Sequence, residues 1–389
     1  MKNTFENGTL TLFLEGHIDS ANASDIEKGI MDSIESCSPT ELILDAVNLE
    51  YISSAGLRIV LKLKKKFFGL KVINVSNAVY EIFDVTGFTE LLEVEKAYRE
   101  YDVTGCEVIG EGANGKVYRV NRDTIVKVYK DASALDEIKR ERELSRTAFL
   151  LGVPTAIPYD VVKVGDTYGS VFELLDAKSF DELLREDAGN MDLVVEKSVE
   201  IMKIIHDTVA PKNLPHQKDT AMHWVDEVTG CFTPEQIEKL RAMIDSIPEN
   251  GMMMHGDLHI KNIMLQNGET LLIDMDTLCT GNPIYELAFI YNAYKGFGIA
   301  DITVVEKFMR LPADTTYTLF RRTLAAYLGT DDEAKLDEVE EKASLIGLLR
   351  VMRRVIRIGE DNTEEGKKVI DACRDKIAAI MEKYDTLEY

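Results

Sequence analysis

Between residues 255 and 288 the chain reads HGDLHIKNIMLQNGETLLIDMDTLCTGNPIYELA, and two carboxylates in it, Asp257 and Asp274, are spaced for chemistry. The amide of Asn262 follows Asp257 at five residues, Asp274 closes the apolar strand TLLID, and Asp276 lies one pleat beyond. Hard oxygen donors of this kind suit Mg²⁺. A hairpin-like path from 257 to 274 would converge Asn262, Asp274 and Asp276 on the metal and leave Asp257 to orient and deprotonate a hydroxyl.

Phosphates need a cradle, and one candidate lies upstream. The run IGEGANGKVYRVNRDTIVKVYK carries Gly110, Gly112 and Gly115 followed by two alternating stretches, KVYRV and IVKVY. A dinucleotide fingerprint would run from its glycines into a helix, whereas here a strand follows. That order predicts a glycine turn between strands, with Gly110, Gly112, Asn114, Gly115 and Val117 lying over ATP and Lys127 reaching its α- and β-phosphates. Such a lysine needs a carboxylate to hold it. Glu141 and Glu143 are both available on the helical segment ALDEIKRERELSRTAFLLG, where they project about 200° apart, so only one can face Lys127.

The whole chain of 389 residues is too long for one ordinary core, and 45% hydrophobic with 29% charged residues is a globular balance. A net charge of -23 argues against nucleic acid as a partner. The five cysteines are scattered and form no CxxC pair, so buried reduced thiols are expected rather than disulfides or zinc. The N-terminus lacks a basic head with an apolar run, and no apolar stretch approaches roughly 20 residues, which predicts a cytoplasmic protein with no membrane partner.

Residues 1–100 alternate strand and helix. TLTLFL reads as a strand after an Asn7-Gly8 turn, SANASDIEKGIMDSI as an amphipathic helix, ELILDAV and KVINV as strands, and SSAGLRIVLKLKKKF as a second helix that Ser53 or Ser54 would cap. The wording LEGHIDSANA, LILDAVNLEYISSAGLRIVL and LKVINVSNAVYEIFDVTGF resembles the STAS domain of the anti-sigma-factor antagonist type. The resemblance implies an α/β regulatory domain that binds a protein partner. It also implies that Ser54 occupies the phosphate-accepting position, with Ser53 standing where an aspartate is usual.

From residue 101 onward IGEGANGKVY, IVKVYK, IIHDTVA, MHGDLHIKNIML, LLIDMD and GNPIYELA resemble, in order, the aminoglycoside and choline kinase phosphotransferases. The implied fold is α+β and two-lobed, protein-kinase-like, with a small lobe over 101–176 and a large lobe over 177–389. It implies Glu143 as the partner of Lys127, from its distance to the LLGVP turn, and a hinge in which the backbone of Glu173 and Leu175 binds adenine while their side chains are ordinary. Glu286 stands where the family usually has a loop-supporting aspartate, and Ile260 and Lys261 replace a proline and a small residue. His255 and His206 read as structural. Gly256 before Asp257, and the short path from Asp274 to Gly281, favour a small-molecule hydroxyl as acceptor. A protein serine/threonine kinase and a non-catalytic ATP-sensing scaffold are the alternatives. Beyond residue 300 the chain reads as helical; Arg350, Arg353, Arg354 and Arg357 form a solvated face or an anion contact, and Trp224 packs or lines the cleft.

Overall fold

The computed structural model describes residues 2–112 and 115–389, and divides them into two compact units, 1–102 with 162–165, and 103–161 with 166–389. In the first unit, strands β1 (Asn3–Glu6) and β2 (Thr9–Ile18) form an antiparallel hairpin. Asn7 and Gly8 turn it with positive φ at both positions, the geometry that hairpin twist favours. Helix α1 (Ala23–Cys37), β3 (Glu41–Ile52), α2 (Ser54–Lys66), β4 (Lys71–Val75), α3 (Asn77–Val85), α4 (Phe88–Leu91) and β5 (Glu93–Lys96) follow. The sheet order is β1-β2-β3-β4-β5, parallel from β2 onward.

Period-two burial drives this sheet: Leu10, Leu12 and Leu14 of β2 and Leu42, Leu44 and Ala46 of β3 are all buried, and α1, α2 and α3 supply the covering apolar faces. Gly56 lets α2 settle on the sheet, since a Cβ there would lie 2.6 Å from Ile52 Cγ1 and 2.8 Å from Ile18 Cγ2. The cap of α2 is Ser53, whose Oγ accepts the N–H of Ala55 at 3.2 Å, while Ser54 is exposed.

The second unit opens with β6 (Glu107–Glu111), β7 (Gly115–Arg119), β8 (Thr124–Tyr129), α5 (Leu135–Leu150), β9 (Pro158–Val164, of which residues 158–161 fall in this unit) and β10 (Thr167–Glu173). These strands make one sheet in the order β6-β7-β8-β10-β9. Then come β11 (Lys178–Ser179), α6 (Phe180–Glu186), α7 (Met191–His206), α8 (Gln217–Glu227), α9 (Pro234–Asp245), β12 (Met253–Met254), β13 (Ile263–Gln266), β14 (Glu269–Leu272) and β15 (Cys279–Thr280). Helices α10 (Ile284–Tyr294), α11 (Thr303–Met309), α12 (Ala313–Leu328), α13 (Glu333–Arg357) and α14 (Glu364–Lys383) complete it.

Helices α10 and α13 pack at the centre of the second core, with every residue of α10 buried. Their backbones approach closely at Gly347, where a Cβ would lie 2.8 Å from the Ala288 carbonyl oxygen. Trp224 is a packing residue, buried against Phe289 with ring centroids 6.2 Å apart. Only Cys279 and Cys373 of the five thiols are buried, and none is in a disulfide. Among the described residues no helix is long and apolar enough to cross a membrane.

Candidate active site

The glycine turn joins β6 to β7, with Gly110 opposite Val117 and Glu111 opposite Lys116. Gly112 donates its N–H to the Gly115 carbonyl at 3.0 Å, and nothing lies within 4 Å of where its Cβ would be. Gly115 differs: a Cβ there would lie 2.1 Å from the Val128 carbonyl oxygen, so glycine is needed for β7 to pair with β8. Asn114, expected over the nucleotide, lies outside the described residues. Val117 is the cross-strand neighbour of Lys127, so both present side chains on one face of the sheet.

Lys127 Nζ stands 2.8 Å from Glu141 Oε1 and 2.6 Å from Asp274 Oδ1. Burial opposes its charge, yet the carboxylates of Asp274 and Glu141 outweigh that and raise its pKa well above a free lysine's. Glu141 also accepts a hydrogen bond from the buried Tyr129 hydroxyl, which fixes the carboxylate from its other side. The expectation that Glu143 fills this role is corrected. Glu143 is exposed and lies beside Arg142 and Arg146, at 3.9 and 3.6 Å. The reason is azimuthal: the buried stripe of α5 runs Ile138, Glu141, Ser145, Ala148, and residue 143 projects away from it.

The loop from His255 to Asn262 hangs on α10. Glu286, fully buried, accepts the N–H of His255 at 2.6 Å and of Gly256 at 3.1 Å, so the longer glutamate reaches both donors. Burial works against its charge, but His206 and the N–H of His255 hold its pKa below the ordinary carboxylate value. His206 Nε2 lies 3.7 Å from Glu286 while its Nδ1 meets the Tyr327 hydroxyl at 2.8 Å. His255 is buried and packs the loop through a 3.0 Å contact from Nε2 to the Ile273 carbonyl. Gly256 has φ +83°, and a Cβ would lie 2.2 Å from the Thr277 carbonyl oxygen, so no side chain fits before Asp257.

Asp257 is left half-exposed, with the guanidinium of Arg350 at 3.9 Å and the His259 ring at 3.7 Å. Both distances are too long for hydrogen bonds, which leaves the carboxylate able to accept one from a hydroxyl. Asn262 donates from Nδ2 to the Asp257 carbonyl at 3.0 Å, engaging the amide nitrogen and not its oxygen.

β13 and β14 carry the chain back so that Asp274 reaches Lys127. Asp274 adopts the left-handed conformation, φ +62°, an uncommon state for a non-glycine residue that turns its carboxylate into the cleft. The side chain stays 48% exposed; desolvation by the surrounding protein works against the carboxylate, but the Lys127 ammonium outweighs it and keeps the group below its ordinary range. Asp276 fares otherwise: it is exposed at the cleft surface, yet desolvation by the surrounding protein, then the charges of Asp274 and Glu141, push it up to about 6.

At the end of β10, Glu173 donates its N–H to the Ile157 carbonyl at 3.1 Å, and its side chain accepts the N–H of Ile157 at 2.8 Å. Its side chain therefore clamps the connection, contrary to the expectation of an ordinary one. Leu175 follows Leu174, whose N–H is bound to the Asp123 carbonyl at 3.0 Å.

The phosphotransferase enzyme family model matches residues 105–337, and the STAS domain model matches residues 1–101. A protein of Bordetella bronchiseptica described as an anti-sigma factor antagonist, BtrV, is 32% identical over 91 residues, 22% of this chain and 78% of that protein. Among solved structures, the ADP-bound aminoglycoside phosphotransferase APH(2'')-Ib is 15% identical with a TM-score of 0.49, covering 71% of this chain and 95% of its own. The gentamicin complex of APH(2'')-IIa is 16% identical with a TM-score of 0.47, covering 76% and 97%. Because the first of these family models spans more than half of the sequence, the chain belongs to the phosphotransferase enzyme family, and a STAS domain precedes that region.

Proposed function

We propose that the second unit is an ATP- and Mg²⁺-dependent kinase that transfers the γ-phosphoryl group to a hydroxyl of a small molecule, and that the STAS domain regulates it or docks a protein partner. One observation carries the reading: Lys127, held by Glu141, meets Asp274 across the cleft, while Asp257 keeps a carboxylate free to accept a hydrogen bond.

In this reading the backbone at Glu173 and Leu175 lies along adenine, the turn with Gly110, Gly112, Asn114, Gly115 and Val117 covers the phosphates, and Lys127 pairs with the α- and β-phosphates. Asp257 accepts the acceptor's hydroxyl proton as the new O–P bond forms and the bridging bond to the β-phosphate breaks. The donor set suits a hard cation. Glu141 and Asp274 hold a single lysine between them, and desolvation, then the charges of Asp274 and Glu141, raise the neighbouring Asp276. Mg²⁺ keeps waters and takes phosphate oxygens as ligands, so it needs few donors from the protein. Asp274, Asn262 and Asp276 would hold it, and when bound it would neutralise charge on the phosphates.

A small acceptor is supported by the segment after Asp274. Met275, Leu278, Cys279 and Thr280 are buried, and β15 is paired with β12, so these four residues are tied into the core rather than displayed for a peptide. The test is transfer of labelled γ-phosphate by the purified protein across a metabolite panel, analysing protein and small-molecule fractions. Mg²⁺-dependent label in a small molecule, lost in Asp257→Asn, is expected. MgATP binding with no transfer to any acceptor would favour an ATP-sensing scaffold, and label in protein alone a protein kinase.

A further inference from the structure

Arg350 on α13 is drawn out of the solvated face and into the catalytic loop. Its Nη1 donates to the Gly256 carbonyl at 3.0 Å, its Nη2 is 3.9 Å from Asp257 Oδ1, and its guanidinium lies 4.3 Å over the Phe289 ring. Phe289 is itself backed by Trp224, so the guanidinium is seated on a rigid aromatic platform. A guanidinium has five N–H donors in a planar fork matched to carboxylate or phosphate. Among the described residues only one hydrogen bond, to Gly256, engages it, and the side chain keeps 28% of its exposure.

The neighbouring arginines are committed elsewhere. Arg353 pairs with Glu227, and Arg354 lies over Phe297. A second cation also stands by the loop. Lys261 is partly buried, donates to the Phe308 carbonyl at 3.3 Å and lies 4.6 Å over that ring. No carboxylate within 4.0 Å pairs with it among the described residues. In a chain of net charge -23, two cations beside the proposed base, one at 3.9 Å from its carboxylate and one with no carboxylate within 4.0 Å among the described residues, mark this end of the cleft as positive.

We propose that the acceptor is an alcohol bearing an anionic group, phosphate or carboxylate, which the open fork of Arg350 grips beside Asp257, with Lys261 adding attraction. This rests on the phosphotransfer reading above and specifies the charge of its substrate. A cationic acceptor would instead be repelled at the position where its hydroxyl must meet Asp257.

The test uses full-length protein saturated with MgADP, titrated calorimetrically with four small alcohols of matched size: glycerol 3-phosphate, glycerate, glycerol and 2-amino-1,3-propanediol. Glycerol 3-phosphate or glycerate is expected to bind at millimolar concentrations and the neutral and cationic alcohols not to. Arg350→Gln, which retains a donor for the Gly256 carbonyl, should weaken the anionic probe by about tenfold or more, as expected for loss of a charge-assisted pair. Arg354→Gln should leave it unchanged. Binding of the amino alcohol as tight as the anions, no anion binding at all, or anion binding untouched in Arg350→Gln would each overturn the inference. Failure of MgADP itself to bind the wild type would be a separate result, one that defeats the phosphotransfer reading and this inference with it.

Discussion

Lys127 and Asp274, 147 positions apart in sequence, meet at 2.6 Å, and Glu141 secures the lysine from the opposite side at 2.8 Å. Removing the charge of that brace should matter more than removing that of Glu143, which faces water. Glu141→Gln is expected to lower transfer by about tenfold or more, whereas Glu143→Gln should stay within about twofold, since exposed ion pairs contribute little. Equal effects in steady-state kinetics would remove Glu141 from the site.

Asp257→Asn should reduce transfer by about 10²–10⁴-fold with MgATP affinity preserved, the range for loss of a general base. Asp274→Asn should instead weaken Mg²⁺-dependent nucleotide binding. Titration with a fluorescent nucleotide alongside rate measurements separates the two roles, and normal turnover in either variant would refute its assignment.

Glu286→Ala would strand two buried backbone donors, His255 N–H and Gly256 N–H. Each stranded donor costs about 1–3 kcal/mol, so chemical denaturation should register a loss of several kcal/mol. Gly256→Ala should be worse tolerated still, because the new Cβ would meet the Thr277 carbonyl in a positive-φ conformation. Near-wild-type stability in both would mean the loop is held by other contacts.

A pH effect follows from His259, which is buried and has its pKa lowered from 6.5, chiefly by that burial. The unfolded chain binds a proton near pH 6.5 that the folded chain resists, so this histidine contributes stability above that pH and loses it as pH falls through it. Thermal unfolding of the wild type should therefore decline more between about pH 7.5 and about pH 5.5 than that of His259→Gln. Parallel curves would contradict a neutral buried ring.

In the first unit Ser53, and not Ser54, accepts the capping hydrogen bond. Ser53→Ala should cost about 1 kcal/mol in urea unfolding and Ser54→Ala close to nothing. The reverse order would reassign the cap.

The regular parts of both units were legible because burial imposes a period. Leu10, Leu12 and Leu14 alternate into the first core, and Leu42, Leu44 and Ala46 do the same on the next strand. β1 carries none: all four of its residues are exposed, so neither face is marked by apolar side chains. The loop residues Asp257, Asn262 and Asp274 could be picked out by type and spacing, but azimuth on a helix is subtler. The stripe of Ile138, Ser145 and Ala148 passes through residue 141 and was available as a sign that Glu141 faces inward. Arg350 had no such sign. Its approach to Gly256 depends on how α13 packs against α10, a contact between segments distant in sequence.

The close approach at Gly115 bears on how such chains age. A side chain there would strike the neighbouring strand's carbonyl whether or not a nucleotide is ever bound. A descendant that had abandoned phosphotransfer altogether would still be obliged to keep this glycine for its sheet to close. The glycine is thus a record of architecture, and the fate of activity in any lineage would be written first at Asp257, whose carboxylate makes no contact with the sheet.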